Sequence, residues 1–358
     1  MQLKLYDHRF FVQLLLLCWL TGCIDKIPLD TEGMVDLLVI EGSINNQPGP
    51  YTITIKRSGD FSEDQLAIPD PVTGAQVRIV ASTGESSAMS EIDPGIYQTD
   101  DLNFRGEIGK SYHMEATLAD GKTYRSLAEE LLPVPPIEQV NFGTIKQEVL
   151  GDNNVISEED FIRFSVDTRI PDDGKRHYLK WNFTGEYVFS EIGDPSVPLK
   201  PVRRCYVPDN IDLNKIVIFS GGDGARKELT KELLVKDLDN KFLITYCFHL
   251  FQQSLTPGAY AFWEKVEALV NRSGSLFEVP PGRIDGNIIN PDEPDEEVLG
   301  YFYATAVDDV RFFVQRRDIE DVVIFNNCNN ADPELLALCL NCLLVTNSTL
   351  EKPPYWED

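Results

Sequence analysis

Tyr51-Thr52-Ile53-Thr54-Ile55 alternates apolar and polar side chains without a break. In an extended chain successive side chains point to opposite faces, so Tyr51, Ile53 and Ile55 share one face that must be buried while Thr52 and Thr54 meet water. The same pattern recurs on either side, in Leu37 to Ile40, in Gln76-Val77-Arg78-Ile79 and in Ser111-Tyr112-His113-Met114-Glu115-Ala116-Thr117-Leu118. Turn formers separate these stretches at Asn45-Asn46-Gln47-Pro48-Gly49-Pro50, Thr73-Gly74, Asp93-Pro94-Gly95 and Asp120-Gly121. Asp120-Gly121 suits a tight hairpin because both residue types tolerate positive φ. Roughly six or seven short strands in about a hundred residues predict a two-sheet sandwich over residues 36–132.

Pro133-Val134-Pro135-Pro136 then removes three amide donors and favours extended backbone, which places a stiff hinge and a domain boundary at 133–136. The second domain, 137–358, opens with strand-like alternation in Phe161 to Val166, Tyr178 to Phe183 and Tyr187 to Phe189. It also carries an amphipathic helix. Thr256 suits its cap and Pro257 its first turn, and Tyr260, Trp263, Val266, Leu269 and Val270 fall on one side before Gly274. That aromatic side reads as core. Strands resume in Val298 to Ala304 and Arg311 to Val314, and a cysteine-bearing tail closes the chain. The expected fold is therefore mainly β, a sandwich followed by a larger β-rich domain with at least one helix.

The chain has 358 residues, 58 acidic against 32 basic side chains and a formal charge of -26. Such a surface repels nucleic acid and anionic headgroups and favours solubility, cations or a basic patch on a partner. At the N-terminus, Lys4 and Arg9 precede the apolar run Phe10 to Leu20 and the tetrad Leu20-Thr21-Gly22-Cys23. A positive start, a short apolar core and small residues before a cut make a secretory signal over 1–22. The tetrad has the form of a lipobox, in which the cysteine is alkylated and then acylated. At about 0.8 kcal/mol per buried methylene, several acyl chains on Cys23 anchor a protein stably to a membrane. Residues 23–35 read as a tether.

With Cys18 removed and Cys23 lipidated, Cys205, Cys247, Cys328, Cys339 and Cys342 remain. Export to an oxidising compartment favours disulfides among them, and the odd number leaves at least one thiol free or paired elsewhere. Cys339-Leu340-Asn341-Cys342 with Cys328 upstream has the look of half a zinc site, yet no second pair follows.

Catalytic signatures are sparse. His113, His177 and His249 each lie in strand-like surroundings without a second histidine at metal-ligand spacing. No Gly-x-Ser-x-Gly elbow occurs, although catalytic triads need not show in sequence. Gly221-Gly222-Asp223-Gly224 lacks the lysine of a phosphate loop and reads as a turn. Pro291-Asp292-Glu293-Pro294-Asp295-Glu296-Glu297 lacks the spaced ligands and central glycine of a calcium loop and reads as a solvated loop. No catalytic residue, metal site or cofactor is expected.

Several stretches are similar to a lipoprotein family of Bacteroidota catalogued as domain of unknown function 4249. They include Leu38-Val39-Ile40-Glu41-Gly42, Gly49-Pro50-Tyr51-Thr52-Ile53, Pro71-Val72-Thr73-Gly74-Ala75, Pro133-Val134-Pro135-Pro136-Ile137, Ala259-Tyr260-Ala261-Phe262-Trp263, Gly286-Asn287-Ile288, Val298-Leu299-Gly300-Tyr301-Phe302 and Lys352-Pro353-Pro354-Tyr355-Trp356. The tail departs from the family pattern where Val345-Thr346-Asn347-Ser348-Thr349 replaces a Gly-Gly-Thr step. The resemblance implies an immunoglobulin-like or transthyretin-like first domain and an outer-membrane lipoprotein encoded near TonB-dependent transporters. It brings no catalytic residues. The expected role is a non-enzymatic accessory or binding component of a TonB-dependent transport system, on either face of the outer membrane. The alternatives are a surface-anchored hydrolase, either glycosidase or peptidase, and an adhesin or structural module.

Overall fold

The computed structural model describes residues 37–58, 69–151, 154–193, 197, 201–211, 215–222, 228–270 and 284–356. The signal at 1–22, Cys23 and the tether to residue 35 lie outside the described residues, as do Asp223, Gly224 and Gly274. Among the described residues no helix is long and apolar enough to cross a membrane.

The protein is mainly β. The first strands are β1 (Leu38–Asn45), β2 (Thr52–Arg57), β3 (Asp70–Pro71), β4 (Gln76–Ala81), β5 (Ser86–Asp93), β6 (Ile96–Thr99), β7 (Ser111–Thr117), β8 (Thr123–Ser126) and β9 (Glu129–Glu130). Then come β10 (Ile137–Leu150), β11 (Ile156–Arg169), β12 (His177–Ser190), β13 (Arg204–Asp209), β14 (Val217–Gly221), β15 (Glu228–Asp237) and β16 (Thr245–Ser254). Helix α1 (Pro257–Val270) precedes β17 (Ile288–Ile289), β18 (Val298–Leu299), β19 (Phe302–Thr305), β20 (Val307–Gln315) and helix α2 (Pro333–Leu340).

The alternation of Tyr51 to Ile55 is realised in β2, where Ile53 and Ile55 are fully buried alongside Ile40 and Ile44 of β1. Asp120-Gly121 makes the β7–β8 turn, with Gly121 at φ +90° and the Asp120 carboxylate accepting the Lys122 amide at 3.0 Å. The layers of the first sandwich are hydrogen-bonded into one twelve-stranded sheet. β5 is the corner: Ser86 to Met89 pair with β4, Met89 to Asp93 pair with β6, and the register shifts between Glu91 and Asp93. A strand that bulges can serve both layers.

The first sheet is not completed by residues 36–132. β17 pairs with β8, and β18 and β19 run parallel to β1, so three strands from the far end of the chain close it. Gly300 makes this possible. It sits between β18 and β19 at φ +94°, and a Cβ there would lie 2.1 Å from the Ile40 carbonyl oxygen. Any side chain would push the strand pair off β1.

Residues 137–254 and 307–315 form a second sandwich. A three-stranded sheet, β10-β11-β15, faces a sheet in which β12, β16 and β20 adjoin in that order while β13 and β14 share the outer side of β12. Phe164 stacks on Phe248 at 4.3 Å between the two layers, and Trp181, Phe183, Leu233 and Leu250 fill the same core.

Proline-rich 133–136 joins the two sandwiches and is held by hydrogen bonds at and beside it. The Leu132 carbonyl accepts from Ser254 Oγ at 2.6 Å, the Pro135 carbonyl accepts from the buried Gln252 Nε2 at 2.7 Å, and the Ile137 amide donates to Asp308 at 2.7 Å. A second crossing is tighter still. β19 ends at Thr305 and β20 begins at Val307, so the chain passes from one sandwich to the other across Ala306 alone.

Candidate functional site

The outer face of the β12-β16-β20 sheet looks toward the first sandwich, and a cavity of about 550 Å³ opens between them. Alternation along β12 sends Leu179, Trp181 and Phe183 into the core and leaves Lys180, Asn182 and Thr184 on this outer face. Phe251 and Gln253 from β16 and Val307 from β20 continue the floor. Asn45 and Gln47, at the end of β1, and Trp263 of α1 supply walls.

Helix α1 forms where the capping residues predicted. Thr256 Oγ1 accepts the Ala259 amide at 3.1 Å and also donates to the buried Glu129 carboxylate. Tyr301 donates to the same carboxylate at 2.5 Å, and burial holds the Glu129 pKa above the usual range despite these donors. The helix is thus moored to the first sandwich. Its other side rests on the second, with Tyr260 4.9 Å from Tyr178 between ring centroids.

The aromatic side of α1 is not simply core. Leu269 and Val270 are each 41% exposed, and Trp263 walls the cavity. Residues of both sandwiches meet this helix, which lies over a sheet edge, so part of its apolar stripe covers a hollow.

Lys180 is the unusual group. Only 5% of it is exposed, its Nζ donates to Asn182 Oδ1 at 2.6 Å, and it lies 4.3 Å from the Trp263 ring centre. Burial lowers its pKa from 10.5 to about 8, and no charged neighbour contributes to that shift. Asn182 in turn donates to Gln253 Oε1 at 3.2 Å. Beside this chain, the Trp263 Nε1 hydrogen is buried without an acceptor, alone in this among the described side chains. Among the described residues the cavity is lined by two lysines, Lys180 and Lys215, and by no carboxylate.

The histidines are dispersed. His113 pairs with Glu115 at 3.1 Å, His177 with Asp173 at 3.0 Å and His249 with Asp309 at 2.7 Å. His249 stands opposite Thr184 in the β12–β16 register, at the edge of the cavity. No group of three metal-ligating side chains occurs among the described residues. The acidic loop 291–297 is anchored: Lys122 Nζ donates to Glu293 and Glu296 at 3.1 Å each.

The cysteines pair as Cys205–Cys342 and Cys328–Cys339. Cys247, one of the five disulfide candidates, is instead a buried free thiol packed with Val188 and Trp356, and burial pushes its pKa up to about 12. Neither the alternation of Tyr178 to Phe183 nor the α1 stripe foretold this cavity, because it forms only when residues 45–47, 180–184 and 263 meet.

Fold and cavity together define a double β-sandwich protein with a small-molecule-sized recess at the junction of its two halves. The family model described as Domain of unknown function (DUF4249) matches residues 24–311, and the chain belongs to this family. The match spans both sandwiches, including Lys180, Trp263 and Gly300, and ends before the disulfide-bonded tail. No curated protein matches the sequence.

Proposed function

We propose that this chain is a binding lipoprotein of the outer membrane, anchored through acylated Cys23, that holds a small ligand for a TonB-dependent transporter and performs no chemistry on it. The observation that carries the binding role is the junction cavity. Its volume lies in the range of small-molecule sites, and its lining mixes aromatic surface with amides and one buried amine. Amides orient a ligand through hydrogen bonds, while Phe251 and Trp263 supply the apolar contact area. The lipobox tetrad ending at Cys23 supports the anchor, and membership of the family supports the transport setting by analogy.

Affinity purification of the tagged protein from detergent-solubilised outer membrane tests the role. A TonB-dependent transporter is expected in the eluate. Recovery of the protein without any transporter, under conditions that keep known complexes intact, contradicts it. Replacing Cys23 with serine should release the protein from the membrane fraction.

A surface hydrolase is the second reading, favoured by the Asp309-bound His249 facing Thr184 at the cavity edge. Hydrolysis of nitrophenyl glycosides or peptides by the wild type, lost in His249→Asn, would establish it in place of the first.

A further inference from the structure

Two buried donors beside the cavity lack adequate acceptors among the described residues. The Lys180 ammonium has an amide oxygen and an indole face beside it, and neither carries a negative charge. Trp263 Nε1 has no acceptor among the described residues and is closed off from solvent. A buried donor without a partner costs free energy comparable to a lost hydrogen bond, and a buried charge without a counter-charge costs more. Folded proteins keep few such groups, and Lys180, with the Trp263 ring beside it, walls the hollow.

The electrostatic setting is as pointed. The chain carries 58 acidic and 32 basic side chains, yet among the described residues this lining has lysines and no carboxylate. In a partly dry recess a single positive charge is screened weakly and attracts an anion strongly. One buried amine matches one negative charge, and Lys215 at the rim is already 3.6 Å from Glu232.

The geometry points to a ligand that bears a carboxylate, which takes a hydrogen bond from Lys180 Nζ while its body lies along Phe251, Asn182 and Gln253. This rests on the binding role proposed above and gives the ligand its chemical class. A charge-assisted pair of this kind is shorter and about twice as strong as a neutral one. The amides beyond it accept and donate, which suits the hydroxyls of an acidic sugar or the peptide groups ahead of a free C-terminus.

Calorimetric titration of the full chain, purified in detergent, distinguishes these. The probes are di- and trigalacturonate, a tripeptide with a free C-terminus, their methyl-ester and C-terminal-amide counterparts, and inorganic phosphate. One of the acids is expected to bind roughly 10-fold or more tightly than its neutral counterpart. The acid that binds tells whether the source is saccharide or peptide. Lys180→Gln should abolish the preference for the acid. The variant is checked for wild-type thermal unfolding, and the acid-to-neutral ratio in the wild type needs no variant. Equal binding of acid and neutral forms, or tighter binding of phosphate than of any carboxylate, overturns the carboxylate assignment and leaves a binding role standing. Absence of binding by every probe, acidic and neutral, counts against both.

Discussion

Two lysines on the second sandwich, Lys180 buried and Lys236 partly so, have opposite surroundings. Lys236, on β15, donates to the Asp209 carboxylate, which also accepts from Lys241 Nζ at 2.6 Å and from Tyr246 Oη at 2.7 Å. Burial alone would raise the Asp209 pKa, but Lys236 and its other donors outweigh that and hold it below the usual range. Lys180, on β12, has no carboxylate and is held at a lowered pKa by burial. The first cluster is complete within the fold, and the second is complete only with something added. A buried charge with its counter-ion is a fastening, whereas one without is a candidate site.

The fastening side should yield the largest effects. Cys205, on the strand that carries Asp209, is tied to Cys342 across 137 residues, while Cys328–Cys339 spans 11. On loop-closure entropy alone, loss of the long-range bridge should cost about 5 kcal/mol and loss of the short one about 3. Denaturant titration of C205S/C342S and C328S/C339S checks the order, and equal losses would break it. Asp209→Ala strands two amines and should cost about 3–5 kcal/mol in the same assay. Lys180→Met should have the opposite sign. With the folded pKa near 8 against 10.5 unfolded, the charged amine penalises the fold by up to about 3 kcal/mol at neutral pH. The unfolded chain binds more protons between these two values, so wild-type stability should rise with pH across that window. The advantage of Lys180→Met should be full below pH 8 and shrink as pH climbs toward 10.5. A destabilised Lys180→Met at pH 7 would show that the amine is compensated after all. The smallest effect is expected at Glu129, where burial works against the charged form and Gln keeps an acceptor for Thr256 and Tyr301, so Glu129→Gln should change stability by under about 1 kcal/mol.

The strands that line the fastened cores were legible because alternation survives in one dimension: β1, β2, β4, β7 and much of β12 follow from their apolar rows. Pairing across the chain was not. Nothing in the pattern of Val298 to Thr305 says that these residues run beside β1, about 260 positions away; the clue is Gly300, whose positive φ and contact with the Ile40 carbonyl become meaningful only in the sheet. Gln252 was equally silent. It sits in a core-facing row, fully buried, and is tolerated because its oxygen accepts from Thr168 and Trp181 and its nitrogen donates to Pro135. Lys180 reads from alternation as a solvent-facing residue, correct as to its face of the strand. It is buried by Trp263, a residue on another element, which sequence periodicity cannot bring together with it. Disulfide pairing likewise required the three-dimensional approach of Cys205 to Cys342.

The contrast between the two lysines is open to direct reading by ¹³Cε-lysine NMR of the full chain, with Lys180 assigned by its loss in Lys180→Gln. Lys180 should titrate with a midpoint near 8 and move upward when the binding carboxylate is added. A midpoint at the ordinary value of about 10.4, unmoved by that ligand, would mean that the amine is already solvated or paired and that the junction recess is not an anion site.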